Sequence, residues 1–187
     1  MFPVFPGTCV LLKPYVCDTL LSIAETGMYR PLWSPMVLAE LDRNLARRGL
    51  DDKQIRHRID QMNAAFPDAL VTGFEALIGQ MANDPKDRHV LAAAVRGGAE
   101  VLVTENLRDF PPEAVRPYDL QAVSQDTFLL DQLDLRPADV IDALRRQASR
   151  YRREPRNTEA LLAILGSPGL AAQDSQAPAG RGSDQGI

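Results

Sequence analysis

The sequence has only two cysteines and two histidines, which limits the chemistry that it can support. Cys9 and Cys17 form no CxxC pattern and no cluster with histidine, so a structural zinc site is not expected and both thiols are predicted to be buried and reduced. Neither His57 nor His89 has an obvious serine or cysteine partner. We interpret His89 as a supporting or packing residue rather than a general base.

Several motifs and segments are also missing. The sequence lacks GxGxxG after a strand, GxxxxGKS/T and GxSxG, the motifs of dinucleotide-binding folds, P-loop enzymes and α/β-hydrolases. No apolar run approaches the length of a membrane span, and the segment Met1–Pro6 lacks the positive region and the long apolar region of a signal peptide. We therefore expect a cytoplasmic protein that does not contact membranes.

The chain has no excess of basic residues, which nucleic-acid-binding proteins usually show; its net charge is −4. The basic residues are unevenly spread, however: six lie between Arg43 and Arg58, and seven arginines lie between Arg136 and Arg156. Either stretch is a candidate for contact with phosphates or with an acidic partner protein. The simpler alternative is that both are solvated helix faces.

Length and composition indicate a globular protein. The 187 residues, of which 45% are hydrophobic and 25% charged, predict one domain followed by a tail. We divide the chain into a domain over residues 1–123, a C-terminal helical extension over 124–166 and a tail over 167–187. The tail is rich in Ala, Gly, Gln and Ser, and it cannot bury enough apolar surface to offset the entropy of ordering, so it is predicted to be disordered.

Apolar strands that alternate with helical patterns predict a parallel sheet covered on both faces. Buried strands are predicted over Val4–Leu12, Val101–Val103 and Leu120–Val123, with a shorter one at Ala69–Val71. Helices are predicted to begin at Pro14, Ser34-Pro35, Asp51 and Asp84-Pro85, and to cover Gln125–Leu133, Pro137–Tyr151 and Thr158–Leu165. Ligands of such sheets bind beyond the carboxyl ends of the strands, so polar residues at those positions are the candidates for function.

Three acidic residues lie at plausible sheet-end positions. Glu40 lies among apolar residues of the helix that begins at Pro35, Asp87 precedes an Ala-rich helix, and Asp109 follows the strand that ends at Val103. Carboxylates suit a hard divalent cation such as Mg²⁺, which prefers oxygen ligands. Such a site can activate water and neutralise charge that builds on a phosphodiester.

Each of these acids also has a structural alternative. Glu40 could be a surface acid that the helix dipole favours. Asp84 fits the N-cap of a helix whose first position is Pro85, and Asp87 fits the third position of that helix. Capping explains Asp84 better than Asp87. Asp109 lies in a polar loop, where Asp and Asn are common turn formers.

Two segments of the chain resemble the PIN domain, a family of metal-dependent ribonucleases. Between Asp87 and Pro111 the chain has an acid that opens an Ala-rich helix, then a glycine, a hydrophobic strand, Thr104, a polar pair and Asp-Phe, in the family's order. The segment Trp33–Leu41 resembles the family's second helix with its acid. The match covers Val4–Val123 in order and spacing.

The resemblance implies a three-layer α/β/α fold with a central parallel sheet and extra C-terminal helices. It implies that Glu40, Asp87 and Asp109 hold Mg²⁺ or Mn²⁺, that Asn106 completes the distal part of the site, and that Thr104 positions a water or an acid. Many bacterial members are VapC toxins, so the resemblance also implies an endoribonuclease with an RNA substrate, a small antitoxin protein as partner and, since VapC proteins are often dimeric, a homodimer.

The chain departs from the family pattern at Gly7. The run from Gly7 to Leu11 is aligned with the family's Asp-Ala-Cys-Val-Leu, so glycine replaces an acid that the resemblance implies as a primary metal ligand. Thr8 could offer a hydroxyl and Asp18 could approach from the following helix, but neither is an obvious substitute. The alternative function is therefore a PIN module that binds RNA or antitoxin without efficient cleavage.

Two further classes of protein fit the sequence less well. A generic α/β phosphotransfer or hydrolase domain would need a nucleophile such as an Asp-x-Asp strand end, which the sequence lacks. In a purely structural protein, the three acids would serve only as helix caps and turn residues.

The leading hypothesis predicts cleavage of structured RNA that depends on Mg²⁺ or Mn²⁺ and is lost in Asp87→Asn and Glu40→Gln.

Overall fold

The computed structural model of the protein describes residues 1–166, so the predicted disordered tail lies outside the described residues. Within residues 1–166 the chain forms a four-stranded, all-parallel sheet with helices on both faces, which confirms the expected α/β fold. The strands are β1 (Phe2–Pro6), β2 (Tyr29–Pro31), β3 (Val101–Val103) and β4 (Gln121–Val123), in the spatial order β2-β1-β3-β4.

Helices connect and cover these strands. They are α1 (Thr8–Leu11), α2 (Pro14–Ala24), α3 (Pro35–Arg47), α4 (Asp52–Ala65), α5 (Arg88–Arg96), α6 (Pro112–Val115), α7 (Gln125–Leu135), α8 (Pro137–Arg150) and α9 (Thr158–Leu165). Short 3₁₀ turns cover Glu75–Gln80, Pro85–Asp87, Leu107–Asp109 and Arg116–Tyr118. None of the helices described combines the length and the apolar character that crossing a bilayer requires.

Side-chain caps fix the starts of the two helices that carry much of the chain's charge. Ser34 Oγ accepts a 3.2 Å hydrogen bond from the Val37 amide at the start of α3, where Pro35 occupies the first helical position. Asp51 and Gln54 form a reciprocal capping box at the start of α4, with hydrogen bonds of 2.8 and 3.0 Å. Both starts agree with the sequence prediction.

The sheet separates two apolar cores because successive strand residues face opposite sides. Phe5 and Leu102 face a core formed with α3, α4 and α5. Val4 and Val103 face a second core formed with α2 and the C-terminal helices α7, α8 and α9. Full burial of side chains of this size stabilises the fold by about 1.5–3 kcal/mol each, so both helical layers hold the sheet in place.

Two predictions about the sheet were wrong. The first strand ends at Pro6 rather than Leu12, because the chain turns at Gly7 into the single turn of α1. The predicted strand at Ala69–Val71 is reduced to one isolated bridge between Leu70 and Trp33. The sequence analysis also missed β2, which forms one edge of the sheet.

Candidate metal site at the carboxyl edge of the sheet

The candidate site lies where the adjacent strands β1 and β3 end. The Gly7 amide, directly after β1, donates a 2.9 Å hydrogen bond to the Val103 carbonyl, and the Thr104 amide, directly after β3, donates one of 2.9 Å to Val123. Parallel pairing therefore brings segments that are distant in sequence to one edge. This is the edge at which sheets of this kind bind ligands.

A cavity of about 190 Å³ opens at this edge. The residues that line it include Gly7, Thr8, Glu40, Asn44, Asp87 and Asn106. They come from the turn after β1, from α3, from the turn before α5 and from the loop after β3. The structure thus places Glu40, Asp87 and Asn106 around one cavity, whereas Asp109 and Thr104 do not line it.

Glu40 accepts a hydrogen bond at one carboxylate oxygen and lies close to His89 at the other, although His89 Nε2 does not have hydrogen-bond geometry. Thr8 Oγ1 donates a 2.7 Å hydrogen bond to Oε2, and His89 Nε2 lies 3.2 Å from Oε1. The contact with His89 lowers the pKa of Glu40 below its usual value; the Thr8 hydrogen bond and the nearby Arg43 act in the same direction, against the effect of burial. These contacts favour the ionised form of Glu40, and the Thr8 hydrogen bond orients it.

The carboxylate of Asp87 does not cap its own turn. The preceding Asp84 caps that turn by accepting a 3.1 Å hydrogen bond from the Lys86 amide, whereas the side chain of Asp87 makes no capping bond. Its Oδ2 atom is buried and has no hydrogen-bond partner. Burial, followed by contact with Asp109 and repulsion from it, raises the pKa of Asp87 to about 6.

Asp109 approaches Asp87 from outside the cavity, where it pairs with a lysine. Lys86 Nζ lies 3.0 Å from Asp109 Oδ2 and 3.9 Å from Asp87 Oδ2. Hydrogen bonding to Asp109 raises the pKa of Lys86. The ammonium group thus offsets part of the charge of two neighbouring acids, although the lysine side chain is 64% exposed.

Thr104 lies behind the cavity and organises the loop that carries Asn106. Its hydroxyl, in a residue that is 2% exposed, accepts a 3.1 Å hydrogen bond from the Asn106 amide and lies 3.5 Å from Cys9 Sγ. No hydrogen bond from Thr104 to a carboxylate is formed in residues 1–166. Its predicted role in positioning a water or an acid stays a prediction.

Gly7 lies in the wall of the cavity, where the resemblance places an acid. Its φ of −72° and ψ of 162° suit any residue, and an added Cβ would meet no atom closer than 3.5 Å. The suggestion that Asp18 could replace the missing acid was wrong, because Asp18 accepts a 2.6 Å hydrogen bond from Tyr151 and lines a separate groove. Thr8 does reach the site, through its bond to Glu40.

The oxygen atoms around the cavity are of the kind that a hard divalent cation prefers. Carboxylates of Glu40, Asp87 and Asp109 and the side chain of Asn106 offer oxygen atoms, and the buried, unpartnered Asp87 Oδ2 is the kind of group that a cation would satisfy. Within residues 1–166, no three His, Cys, Asp or Glu side chains already converge tightly enough to enclose a metal ion. Gly7 contributes no carboxylate to the cavity, and Asp109 is turned toward Lys86.

The sequence analysis did not single out Lys86 or Asn44 as parts of this site. Lys86 lies between Asp84 and Asp87, and its position beside two acids was the available signal. Asn44 lies four residues after Glu40, so helical periodicity places both on one edge of α3. Their side-chain contacts could not be read from the sequence.

Comparison with known proteins gives two family matches. The sequence model of the PIN domain matches residues 8–108, more than half of the chain. The model of the VapC50 C-terminal domain matches residues 125–172. No solved structure matches the chain.

A curated relative matches part of the chain. It is a protein of Mycobacterium tuberculosis (strain ATCC 25618 / H37Rv) named "Putative ribonuclease VapC50". The two sequences are 53% identical over 77 residues, which make up 39% of this chain and 46% of the relative. The match therefore spans about half the length of that protein.

Proposed function

This chain belongs to the PIN-domain family, and we propose that it is a metal-dependent endoribonuclease, the toxin of a VapBC-type toxin–antitoxin system. The observation that carries the proposal is the shared cavity of Glu40 and Asp87 at the carboxyl edge of the sheet, with one buried Asp87 oxygen left without a partner. The partial match to a protein named as a ribonuclease supports the same activity.

Glu40, Asp87 and Asp109 would hold the metal, which we propose is Mg²⁺ or Mn²⁺. When bound, such an ion supplies an activated water and neutralises charge on the phosphodiester. Glu40 is oriented for this role by Thr8 and His89. Asn106 faces the same cavity and would contact the substrate phosphate or a metal-bound water, and Thr104 would hold the loop that carries it.

We propose that Gly7 makes metal binding weaker than in a site with the full set of acids. The cavity has room at this position but no carboxylate. Loss of a ligand would leave fewer negative charges to balance the cation, so activity would require a higher metal concentration. The family matches favour a cleaving enzyme over a non-cleaving binding module.

The partners proposed for this chain are an RNA substrate, a small antitoxin protein and a second copy of the chain in a homodimer, all acting in the cytoplasm. A groove of about 710 Å³ between α2, α4 and the end of α8 is a suitable place for a protein partner. It combines apolar Leu21, Met62 and Phe66 with charged Arg58 and Arg150, a mixture that resembles the composition of protein interfaces.

The test is cleavage of RNA by the purified protein across a titration of Mn²⁺, run beside Asp87→Asn and Glu40→Gln. Both variants should lose cleavage by at least a hundredfold, since each removes charge at the metal. Asp84→Asn is the matched control: it neutralises an acid in the same turn, yet asparagine caps a helix as well as aspartate does. Equal cleavage by all four proteins would refute the site assignment.

A further inference from the structure

Helix α3 continues past the cavity with a row of polar and basic side chains. Glu40 and Asn44 both line the cavity, and the helical repeat places Arg43, Arg47 and Arg48 on the same edge of α3. We call Arg43, Asn44, Arg47 and Arg48 the basic edge. At 1.5 Å per residue it extends about 12 Å from Glu40 to Arg48.

A direct contact fixes the far end of the basic edge at the rim of the cavity. Arg48 Nη1 donates a 3.3 Å hydrogen bond to the carbonyl of Leu12, a residue that itself lines the cavity. Lys13, the next residue, adds a further cation at this rim, although it pairs with Glu105 at 3.3 Å. Positive charge is therefore continuous from the acidic cavity to the end of α3.

The arginines of the basic edge form no ion pair, although Arg43 acts on Glu40 from a longer distance. In the described part of the chain, Arg43, Arg47 and Arg48 are exposed and lie more than 4 Å from any carboxylate oxygen that could form an ion pair. The arginine-rich C-terminal stretch lies elsewhere: Arg136 pairs with Asp139, Arg150 pairs with Glu25, and none of its arginines lines the cavity. Stabilisation of the α3 carboxyl terminus explains one basic residue in the last turn, but not a row of three.

We propose that the basic edge of α3 binds the phosphates of one RNA strand and leads it into the cavity. This inference rests on the proposed nuclease function. An acidic cavity repels a phosphodiester, so a strand that enters it gains from cations held along its path. Arginine suits this role, because its guanidinium donates paired hydrogen bonds to phosphate oxygens. The exposed side chains of the edge are charged or polar, which favours RNA over an apolar protein segment.

The experiment measures the salt dependence of RNA binding by Arg47→Gln/Arg48→Gln. A fluorescent single-stranded RNA is titrated in EDTA, which prevents cleavage, and anisotropy is followed over a range of NaCl concentrations. Each lost phosphate contact reduces the slope of log K against log salt by about 0.7, so the double variant should lose about 1.4. The single variant Arg47→Gln should reduce the slope by about 0.7. The Arg47 side chain forms no hydrogen bond that stabilises the fold, so this variant should fold.

The matched control is Lys53→Gln/Arg56→Gln. These two basic residues belong to the same basic stretch of the sequence, but they are exposed on α4 and do not line the cavity. Arg56 donates a hydrogen bond to the Asp52 carbonyl of its own helix. The control should keep the parent slope. Melting temperatures equal to that of the parent verify folding of all variants.

Two results would overturn the inference. Equal loss of slope in the control and the double variant would mean that only net charge matters. An unchanged slope in the double variant would exclude the basic edge as the path of the RNA. If that variant instead lost binding to a protein partner, the edge would be assigned to that partner. Either result leaves the nuclease proposal intact if the parent still cleaves RNA, so the two proposals fail separately.

Discussion

Glu40 Oε1 lies 3.2 Å from His89 Nε2, and this contact joins α3 to α5 at the acidic cavity. His89 is 6% exposed and is directed at a carboxylate rather than at an apolar neighbour. We therefore expect the histidine to act on the proposed chemistry through Glu40. It orients an acid that the Thr8 hydroxyl holds from the other side.

His89→Ala should weaken Mn²⁺ binding about tenfold, because residues that orient metal ligands typically contribute a factor of 10–100 to affinity. Free Mn²⁺ measured by electron paramagnetic resonance gives the affinity without reference to cleavage. His89→Gln, which keeps a donor, should recover part of the loss. His57→Ala is the control, since His57 is exposed on α4; an equal loss in that variant would contradict the orienting role.

Asp87→Asn should stabilise the metal-free protein at pH 8 while it abolishes cleavage. The pKa of Asp87 is raised from 3.8 to about 6, so the folded state takes up a proton that the unfolded state lacks between about pH 4 and pH 6. Stability from this group is present at low pH and is lost as pH rises through 6. The expected gain at pH 8 is about 1 kcal/mol, because exposure screens the full effect.

Thermal melts in EDTA test this pH dependence. The variant should melt about 2–4 °C above the parent at pH 8 and at the same temperature near pH 4, where Asp87 is protonated. In separate melts without EDTA, added Mn²⁺ should raise the melting temperature of the parent but not that of the variant. A variant that melts below the parent at pH 8 would show that the charge of Asp87 does not destabilise the folded state.

Gly7→Asp should increase Mn²⁺ affinity tenfold or more and lower the metal concentration that cleavage requires. The backbone at Gly7 accepts any side chain, and the nearest atom to an added Cβ is the Val103 carbonyl oxygen at 3.5 Å. Gly7→Asn is the matched control for size without charge. Isothermal titration with Mn²⁺ that gives equal affinities for the two variants would contradict the placement of Gly7 in the site.

Gly97→Ala should destabilise the protein by about 1–3 kcal/mol through overpacking. An added Cβ would lie 2.8 Å from Leu32 Cδ1 and 2.9 Å from Val71 Cγ2, in the core between α5 and the sheet. Gly79→Ala is the control, because nothing lies within 4 Å of its added Cβ. Urea denaturation should separate the two, and equal midpoints would exclude a packing role for Gly97.

The fold could largely be predicted because its helix starts depend on local chemistry. Ser34 and Asp51 cap the helices that follow them, as their positions in the sequence indicate. The end of β1 could not be predicted, because a buried strand and a buried helical turn are equally apolar between Val4 and Leu12. β2 was missed because Tyr29–Pro31 is too short to show an alternating pattern.

The site could be predicted only in part, because a motif names residues and not their contacts. Glu40 and Asp87 were expected to share a site, and they line one cavity. The pairing of Asp109 with Lys86 depends on how two turns approach each other, which periodicity does not specify. The roles of Asn106 and Thr104 stay predictions, as does the division of the chain at residue 123.

The second core makes the two parts of the chain depend on each other for their stability. Val4 and Val103 of the sheet are covered by α8 and its neighbours, so the helices that follow residue 123 complete the interior of the part that precedes it. A fragment cut at that point would keep α2 on this side of the sheet but lose α7, α8 and α9, so much of the second core would be open to water. The segments on either side of residue 123 therefore share one interior, and the stability of each depends on the other.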